Sequence, residues 1–501
     1  MLSLRGHKLS DMSIFEVCKE ELSRYLLSII PVWFFTGVVI ALAPVPTCAV
    51  EQAAARTLTL EEAVRISLAG NSRLVAAHLT LEGEQEGLEA ARADFDLKLV
   101  PTLRLGKIGD NTLSSATTGA NNSLGAQLSK KFETGTTVSI GPSWNQSGGS
   151  ANTTLNLSVQ QPLFKGFDGE VTLSGVRAAE FSLATSQRSF EQARVIVALD
   201  TISAYYQLIR DQEMLRLAGS LAERLHRQAL VAQSKERVGT ASPMDTYRAE
   251  IVLKDAEAAA HQARNAVAAS GDRLKLLLEM ELNTTLELVA PTIPQTDDLD
   301  YETQALNGRA ELLQLQAEID EAERGLRVAG NDMLPDVNLQ VNYGQASSSD
   351  PFLNQYLPTT QKQWSVYLVA SSDIFRSAQK TAYRRAELRH KSLRLSLESK
   401  AAELRRQVRQ QLALLGEAQQ RITLRRQQIK QAESKLALAE VKFSHDMADN
   451  FSLLEAETEL QRSRLNLLAT EAEYAVGVYN LKAIAGRLLD GFARPAAKRS
   501  E

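Results

Sequence analysis

The sequence predicts a mixed α and β membrane protein built from two structural repeats per chain. Similar segments recur in the two halves of its 501 residues. Long helical segments have apolar residues at every seventh position, as coiled coils do. Strand-like segments alternate apolar and polar residues, as the strands of membrane β-barrels do. The net charge of −4 is nearly balanced, and this excludes a protein that binds nucleic acid along its whole length.

The first segment, residues 1–49, is predicted to be a signal peptide. Charged residues up to Arg24 precede a long apolar stretch, and small residues before Ala49 are typical of a cleavage site. Two alternatives stay open: the apolar stretch remains as a membrane anchor, or Cys48 becomes an acylated N-terminus. Because Cys18 and Cys48 both precede the predicted cleavage point, the mature chain would have no disulfide.

Two repeats follow, at residues 50–287 and 303–490. Each begins with a helical segment, LEEAVRISLAGNSRL in the first repeat and NGRAELLQLQAEIDEAERGL in the second. Residues 288–302, which are rich in proline and aspartate, form a predicted linker between the repeats. Residues 491–501 are predicted to be a flexible tail.

The strands are predicted at about residues 97–163 and 336–375. In VNLQVNY, for example, Val337, Leu339 and Val341 alternate with polar residues, so one face is apolar and the other is polar. A half-buried sheet in a soluble domain is the competing interpretation. Open sheet edges are not tolerated in hydrocarbon, and a barrel needs about eight strands. Four to six strands per chain therefore predict an oligomer.

The first repeat contains two additional strand-like runs, NSLGAQLSKKF and TTVSIGPSW, around a tight turn at Glu133–Gly135. They either add strands to the barrel or extend it as an extracellular collar.

Long helices are predicted at about residues 171–238 and 243–282 in the first repeat, and at 377–444 and 450–486 in the second. In the second repeat, one apolar column runs through Val408, Leu415, Ile422, Ile429, Leu436 and Phe443. A repeat of seven predicts coiled-coil contacts. At 1.5 Å per residue, helices of this length would measure about 100 Å, which a globular core does not require.

The segment QPLFKGFDGE is interpreted as a swivel between a barrel strand and a long helix. Pro162 would end the strand ladder, and Gly166 and Gly169 would provide the flexible backbone. The corresponding segment of the second repeat, SSDIFRSAQK, has no glycine at the position of Gly166. We expect the second swivel to be stiffer.

Taken together, LTLEEAVRISLAGNSRL, QPLFKG, VGTASPMD and TEAEYAVGVYNLKAIAG resemble segments of the TolC-like outer membrane efflux protein family. The resemblance covers nearly all of the chain after residue 57. It implies a homotrimer in the cell outer membrane, in which a β-barrel is continued by a long periplasmic α-helical coiled-coil barrel. The implied function is that of a passive exit duct of a tripartite efflux pump or type I secretion system.

The implied partners are a periplasmic adaptor protein, an inner-membrane RND or ABC transporter, and outer-membrane lipid; no cofactor and no nucleic acid are implied. The family contacts its adaptor at the tips where the long helices reverse. By resemblance, the tip residues here are Val238, Gly239, Ser242, Asp245, Asp446 and Asp449. The second tip has Asp446 where the first has Gly239.

The resemblance also implies a tunnel gate at Ser452 and Glu455, where the family has two acidic positions. Three copies of Glu455 would form an acidic ring that favours cations. In the alternative interpretation, Glu455 pairs with a lysine of a neighbouring helix.

The sequence has no catalytic signature such as HExxH, a P-loop, GxSxG or CxxC, so we do not expect an enzyme. His445, with Asp446 and Asp449, forms either a metal site or simply a polar turn. A non-conducting periplasmic coiled-coil scaffold or adaptor is the alternative function, although the paired strands favour the duct.

Charge is distributed unevenly along the second repeat. From Arg376 to Lys430 there are 15 basic and 4 acidic residues, a balance of 15 − 4 = +11, whereas residues 431–480 have 4 − 9 = −5. If these side chains face the lumen, the tunnel is acidic at its entrance and basic above it. Alternatively, arginines such as Arg405, Arg409 and Arg426 face outward or pair with acidic residues.

Overall fold

A computed structural model describes residues 56–112, 115–147, 150–240, 242–296, 300–349, 360–445, 447 and 450–492. These residues belong to one compact unit. The predicted signal peptide, including Cys18 and Cys48, lies outside the described residues, as do most of the predicted tail and the tip residues Asp446 and Asp449.

The first repeat contains the following helices and strands, in chain order: β1 (Arg56–Leu58), α1 (Leu60–Gly70), α2 (Ser72–Arg92), β2 (Lys98–Arg104), β3 (Lys107–Thr112), β4 (Ser115–Lys131), β5 (Thr137–Ser147), β6 (Ser150–Pro162), α3 (Gly169–Thr172), α4 (Ser174–Arg237) and α5 (Pro243–Leu277). The linker region and second repeat contain β7 (Leu286–Leu288), α6 (Tyr301–Gly308), α7 (Ala310–Asn331), β8 (Asp336–Ser349), β9 (Thr360–Ser371), α8 (Ser377–Ser444) and α9 (Asn450–Ile484). The predicted fold class, with long helices and strands in two repeats, is confirmed.

The first two helices begin with side-chain caps that the sequence encodes locally. Thr59 and Glu62 form a capping box, in which each side chain accepts a hydrogen bond from the other residue's backbone N–H. Asn71 separates α1 from α2, and its side chain accepts a hydrogen bond from the Arg73 N–H. The Asn71 amide also donates to the Leu277 carbonyl at 3.0 Å, and this fixes the start of α2 against the end of α5.

The long helices α4 and α8 contain 64 and 68 residues, which at 1.5 Å per residue gives lengths of about 96 and 102 Å. Each packs against a shorter helix of its own repeat on either half of its length. On one half the helices lie in the order α2–α4–α7–α8, and on the other half in the order α5–α4–α9–α8. In both rows α8 lies at one edge and a helix of the first repeat lies at the other.

The sheet has the order β2–β4–β5–β6–β8–β9, with antiparallel neighbours throughout. The two repeats join at β6 and β8, where Val159 pairs with Val341. The additional runs of the first repeat are β4 and β5, and both are strands of this sheet. Off the main row, β3 pairs with the first residues of β4. Within the chain, the outer edges of β2 and β9 have no neighbouring strand in the described sheet.

A core at the middle of the long helices joins the two ends of the first repeat. Strands β1 and β7 pair in parallel and pack with α1, α4 and α9. The Tyr205 hydroxyl of α4 lies 2.8 Å from the Leu58 carbonyl and 2.7 Å from the Val289 carbonyl. Burial raises the pKa of Tyr205 to about 12, so this hydroxyl remains a hydrogen-bond donor.

In the described part of the chain, no helix combines the length and the apolar character needed to cross a membrane.

Candidate functional site

The first swivel lies where β6 passes into α3 and α4. Pro162 is the last residue of β6 and pairs with Asn338 in the ladder. Gly166 has a φ of 80°, the left-handed conformation that glycine adopts without steric cost. Its N–H donates to the Asn331 side-chain oxygen at 2.9 Å. Gly169 is the first residue of the short helix α3, so the sharp change of direction lies at Gly166.

The second swivel reaches the same conformation without glycine. Arg376 has a φ of 48° and directly precedes α8, one position before Ser377, which aligns in sequence with Gly166. For a residue with a Cβ, the left-handed conformation costs about 1–2 kcal/mol. The Arg376 guanidinium donates to the Met333 carbonyl at 2.8 Å and to the Ser372 hydroxyl at 3.0 Å. These bonds offset the strain, and the sequence pattern alone gave no signal for this role of Arg376.

The C-terminal end of α7 holds both swivels. Arg327 forms a forked ion pair with Glu170, with two contacts of 3.0 Å. The guanidinium lowers the pKa of the Glu170 carboxyl. Lys165 lies 3.3 Å from the Asp332 carboxylate. Since Met333 receives the bond from Arg376, one helix end connects the two strand-to-helix junctions.

The first helix reversal follows Arg237. Val238 is exposed, and Gly239 has a φ of 77° with open space where a Cβ would lie. The Ser242 hydroxyl accepts a hydrogen bond from the Met244 N–H at 3.2 Å, and the Asp245 carboxylate accepts one from the Ser242 N–H at 3.2 Å. With Pro243 as the first helical residue, these bonds form a capping box. Four of the six predicted tip residues therefore lie together at one exposed reversal.

The second reversal lies between α8 and α9. His445 follows the end of α8, and Met447 is exposed. Asp446 and Asp449 lie outside the described residues, so the choice between a metal site and a polar turn stays a prediction. Near this end the Lys235 ammonium lies 4.6 Å from the ring centroid of Phe443. This cation–π contact joins the α4/α5 hairpin to the α8/α9 hairpin.

Of the two predicted gate residues, Glu455 is paired with a lysine. The Lys435 Nζ lies 3.0 Å from a carboxylate oxygen of Glu455 and 2.6 Å from one of Glu459. These hydrogen bonds, first to Glu459 and then to Glu455, raise the pKa of Lys435. Ser452 lies one turn earlier on the same helix, where it is half-buried. The alternative interpretation of Glu455 is thus the one seen within the chain, and the three groups have a combined charge of −1.

The three arginines named in the sequence analysis, Arg405, Arg409 and Arg426, also form ion pairs. Arg405 and Arg409 lie 3.5 and 3.4 Å from the Glu302 carboxylate, and Arg426 lies 2.9 Å from Glu471. Each arginine is thus paired with an acidic residue of α6 or α9, as the alternative interpretation proposed, although Arg405 and Arg409 share the single carboxylate of Glu302. Among the described residues, basic side chains near the start of α8 without an acidic partner are Lys380, Arg385, Arg389 and Arg394.

Within the described residues, no group of three or more His, Cys, Asp or Glu side chains is arranged to hold a metal ion.

The sequence model described as "Outer membrane efflux protein" matches residues 63–278 and 303–487 of the chain. The two matched segments correspond to the two repeats. No curated protein sequence matches significantly.

Several solved structures have a similar fold. The outer-membrane channel OprN is 18% identical, with a TM-score of 0.67 over 85% of this chain and 89% of that chain. The CmeC outer membrane channel of Campylobacter jejuni is 13% identical, with a TM-score of 0.68 over 86% of each chain. The MtrE outer membrane channel of Neisseria gonorrhoeae is 16% identical, with a TM-score of 0.65 over 86% of this chain and 89% of that chain.

Proposed function

We propose that this chain, which belongs to the outer membrane efflux protein family, forms a homotrimeric duct that conducts exported solutes passively across the periplasm and the outer membrane. It is an outer-membrane efflux channel with a periplasmic extension, and it is not an enzyme. In the proposed assembly its helix reversals dock on a periplasmic adaptor, and an inner-membrane RND or ABC transporter supplies the solute.

The observation that best supports this assembly is that the sheet and both helical rows are open at the same two ends. In the sheet the free edges are β2 and β9. In the helical rows they are α2 or α5 at one end and α8 at the other. A head-to-tail contact between copies would close all three layers with a single rotation.

The strand number supports an aqueous lumen. Three copies of the six-strand row of the sheet would form a barrel of 3 × 6 = 18 strands. Barrels of about 16 to 18 strands enclose a water-filled channel. Smaller barrels are filled by their own side chains.

The two helical edges have matching exposed apolar side chains and opposite charges. On α2, Val75 and Leu79 are 50% and 61% exposed, and on α8, Leu388 and Leu395 are 53% and 67% exposed. Within one chain these apolar side chains face solvent. The exposed part of α2 also has acidic residues, including Glu82 and Glu86, whereas the facing part of α8 has arginines without an acidic partner among the described residues, such as Arg385 and Arg389. Contact between α2 of one copy and α8 of the next would bury the first set and pair the second.

The alternative function, a non-conducting periplasmic scaffold, does not account for the exposed apolar side chains of the sheet. Leu99 and Leu103 on β2, and Trp364 and Leu368 on β9, are all strongly exposed. In a water-soluble scaffold they would form a large apolar surface. The deciding experiment is to recover the protein from outer membranes as an SDS-resistant trimer and record its single-channel conductance. A trimer without conductance would support the scaffold instead.

Replacing Gly239 by valine is expected to impair export about tenfold without loss of the trimer. A Cβ at this position meets no atom within 4 Å, so the cost is the left-handed conformation itself, about 1–2 kcal/mol. That cost alters the reversal and leaves the rest of the helices unchanged. Export of a fluorescent substrate and crosslinking to the adaptor measure the effect. Gly219→Val is the matched control, because Gly219 is helical and also has open space at its Cβ position. Equal export by the two variants would contradict a docking role for this reversal.

Lys435, Glu455 and Glu459 form a small charged cluster. Removing its positive charge and reversing one of its negative charges are expected to change ion selectivity in opposite directions. Lys435→Gln leaves Glu455 and Glu459 unpaired, so the local charge changes from −1 to −2 per chain and cation preference should increase. Glu455→Lys changes the local charge from −1 to +1, and cation preference should fall. Reversal potentials in planar bilayers at low salt measure both effects, since screening is weakest there. If neither variant changes selectivity, the cluster lies away from the ion path.

A further inference from the structure

The two helical hairpins meet along a seam between α4 and α9 near the reversals. Leu454 of α9 packs into the apolar cluster of the α4/α5 hairpin, which includes Leu225, Ala229 and Leu253. One turn further along α9, at the position where another apolar residue would continue this packing, stands Glu457. Its residue surface is only 6% exposed.

Glu457 accepts a hydrogen bond from one side chain across the seam, and one oxygen of each partner has no hydrogen bond. The Gln228 amide Nε2 of α4 donates to Glu457 Oε1 at 3.1 Å. The second oxygen of each group, Glu457 Oε2 and Gln228 Oε1, is buried and has no hydrogen-bond partner among the described residues. Arg224 Nε lies 3.8 Å from Glu457 Oε2, beyond hydrogen-bonding distance. Two buried acceptors therefore belong to one bonded pair.

A single proton would satisfy both acceptors. If Glu457 is protonated, its hydroxyl can donate to Gln228 Oε1 while Gln228 Nε2 continues to donate to Glu457. A carboxylic acid and a primary amide then form two reciprocal hydrogen bonds. A buried acceptor left without a partner destabilises the fold, so the protonated pair stabilises the seam relative to the ionised one.

Charged groups of α4 and α8 act on Glu457. Burial raises the pKa of Glu457, the positive charges of Arg224 and Arg227 on α4 lower it, and the negative charge of Glu440 on α8 raises it. On α5, Glu250 is occupied by a hydrogen bond from Gln233 at 2.9 Å. Desolvation is the largest of the effects on Glu457, so the pKa lies above the usual value of 4.5.

We propose that Glu457 and Gln228 form a proton-binding site that controls how tightly the two hairpins close on one another near the reversals. Because the carboxyl pKa is raised in the closed seam, the stabilisation is complete below pH 4.5 and is lost as the pH rises through the raised value. Acidification closes the seam and neutral pH loosens it. The site lies within one chain and does not depend on the proposed transport function.

The test uses the full-length protein in detergent with spin labels on both hairpins. Cysteines introduced at the exposed positions Ser234 on α4 and Ser444 on α8 carry the labels, and the distance distribution is recorded from about pH 4 to pH 8. We expect one narrow, short distance at low pH, and a several-fold larger population of longer distances at neutral pH. In Glu457→Gln the short distance should persist at every pH, because an uncharged amide pair reproduces the protonated state.

Asp255→Asn is the matched control, since this carboxylate lies on α5 of the same pair of hairpins but is exposed to solvent. It should keep the pH dependence of the parent protein. Amide hydrogen exchange of α9 between residues 453 and 463 provides a second measurement, with protection lost at neutral pH only where Glu457 is present. The proposal is overturned if Glu457→Gln retains the pH dependence, or if the parent protein shows none. Failure to form conducting trimers would refute the proposed duct but would not alter this result.

Discussion

The double substitution Leu388→Glu/Leu395→Glu is expected to abolish the trimer while the helices of each chain remain folded. Both side chains lie on the exposed face of α8, where Leu388 is 53% and Leu395 is 67% exposed in the single chain. In the proposed assembly they are buried against Val75 and Leu79 of the next copy. Burying a leucine contributes about 1.5–3 kcal/mol to the free energy of association. Each of the three copies would lose this contribution for both leucines. The new carboxylates would also face the acidic residues of α2.

The measurement is the fraction of SDS-resistant trimer in purified outer membranes, compared with helix content from circular dichroism. Leu388→Met/Leu395→Met is the matched control, because methionine preserves the volume and the apolar character of leucine. It should retain the trimer. A trimer that forms normally with both glutamates would show that this face of α8 is not an interface between copies.

The second large effect is expected at Gly135, in the turn between β4 and β5. Gly135 has a φ of 82°, and a Cβ there would collide with the Gly166 carbonyl oxygen and lie 2.8 Å from Pro162 Cγ. The collision partners belong to the first swivel, so the backbone of the strand-to-helix junction would have to shift. The left-handed conformation costs about 1–2 kcal/mol, and overpacking adds about 1–3 kcal/mol. Gly135→Ala should therefore lower trimer stability by about 2–5 kcal/mol.

Gly166→Ala separates the two contributions. Gly166 has nearly the same φ, 80°, but no atom lies within 4 Å of its Cβ position. This variant should incur only the conformational cost, and its trimer should dissociate on heating at a temperature between those of the parent protein and Gly135→Ala. Equal dissociation temperatures for the two variants would mean that the turn does not support the swivel.

The turn between β4 and β5 also shows where the two additional strand-like runs of the first repeat lie. Thr136 donates a hydrogen bond to Gln161, at the end of β6, and Gly135 lies against Gly166. The β4/β5 turn is therefore at the helical end of the sheet, beside the swivel. Both runs are strands of the described sheet, and the choice between added barrel strands and an extracellular collar stays a prediction. The sequence predicted the turn itself but not that it lies beside the first swivel, because alternation of apolar and polar residues does not determine which strands pair.

The sequence by itself determined the features that depend on neighbouring residues. A seven-residue apolar period requires a long helix with a coiled-coil face, and two-residue alternation requires a strand with two unlike faces. Gly239, Ser242 and Pro243 encode the first reversal through φ preference and capping, and Gly166 encodes the first swivel in the same way. These signals act over a few residues, so they can be recognised without knowledge of the fold.

Only the tertiary structure decided how the charged and polar side chains are used. Glu455 was predicted as part of an acidic ring or as one member of a lysine pair, and the partner turned out to be Lys435, on the other helix of its hairpin. Arg376 adopts the conformation of a glycine because the Met333 carbonyl lies within reach of its guanidinium. Glu457 and Gln228 are 229 residues apart. Their pairing depends on which faces of α4 and α9 meet, and helical periodicity specifies that each helix has an apolar face but not which helix will cover it.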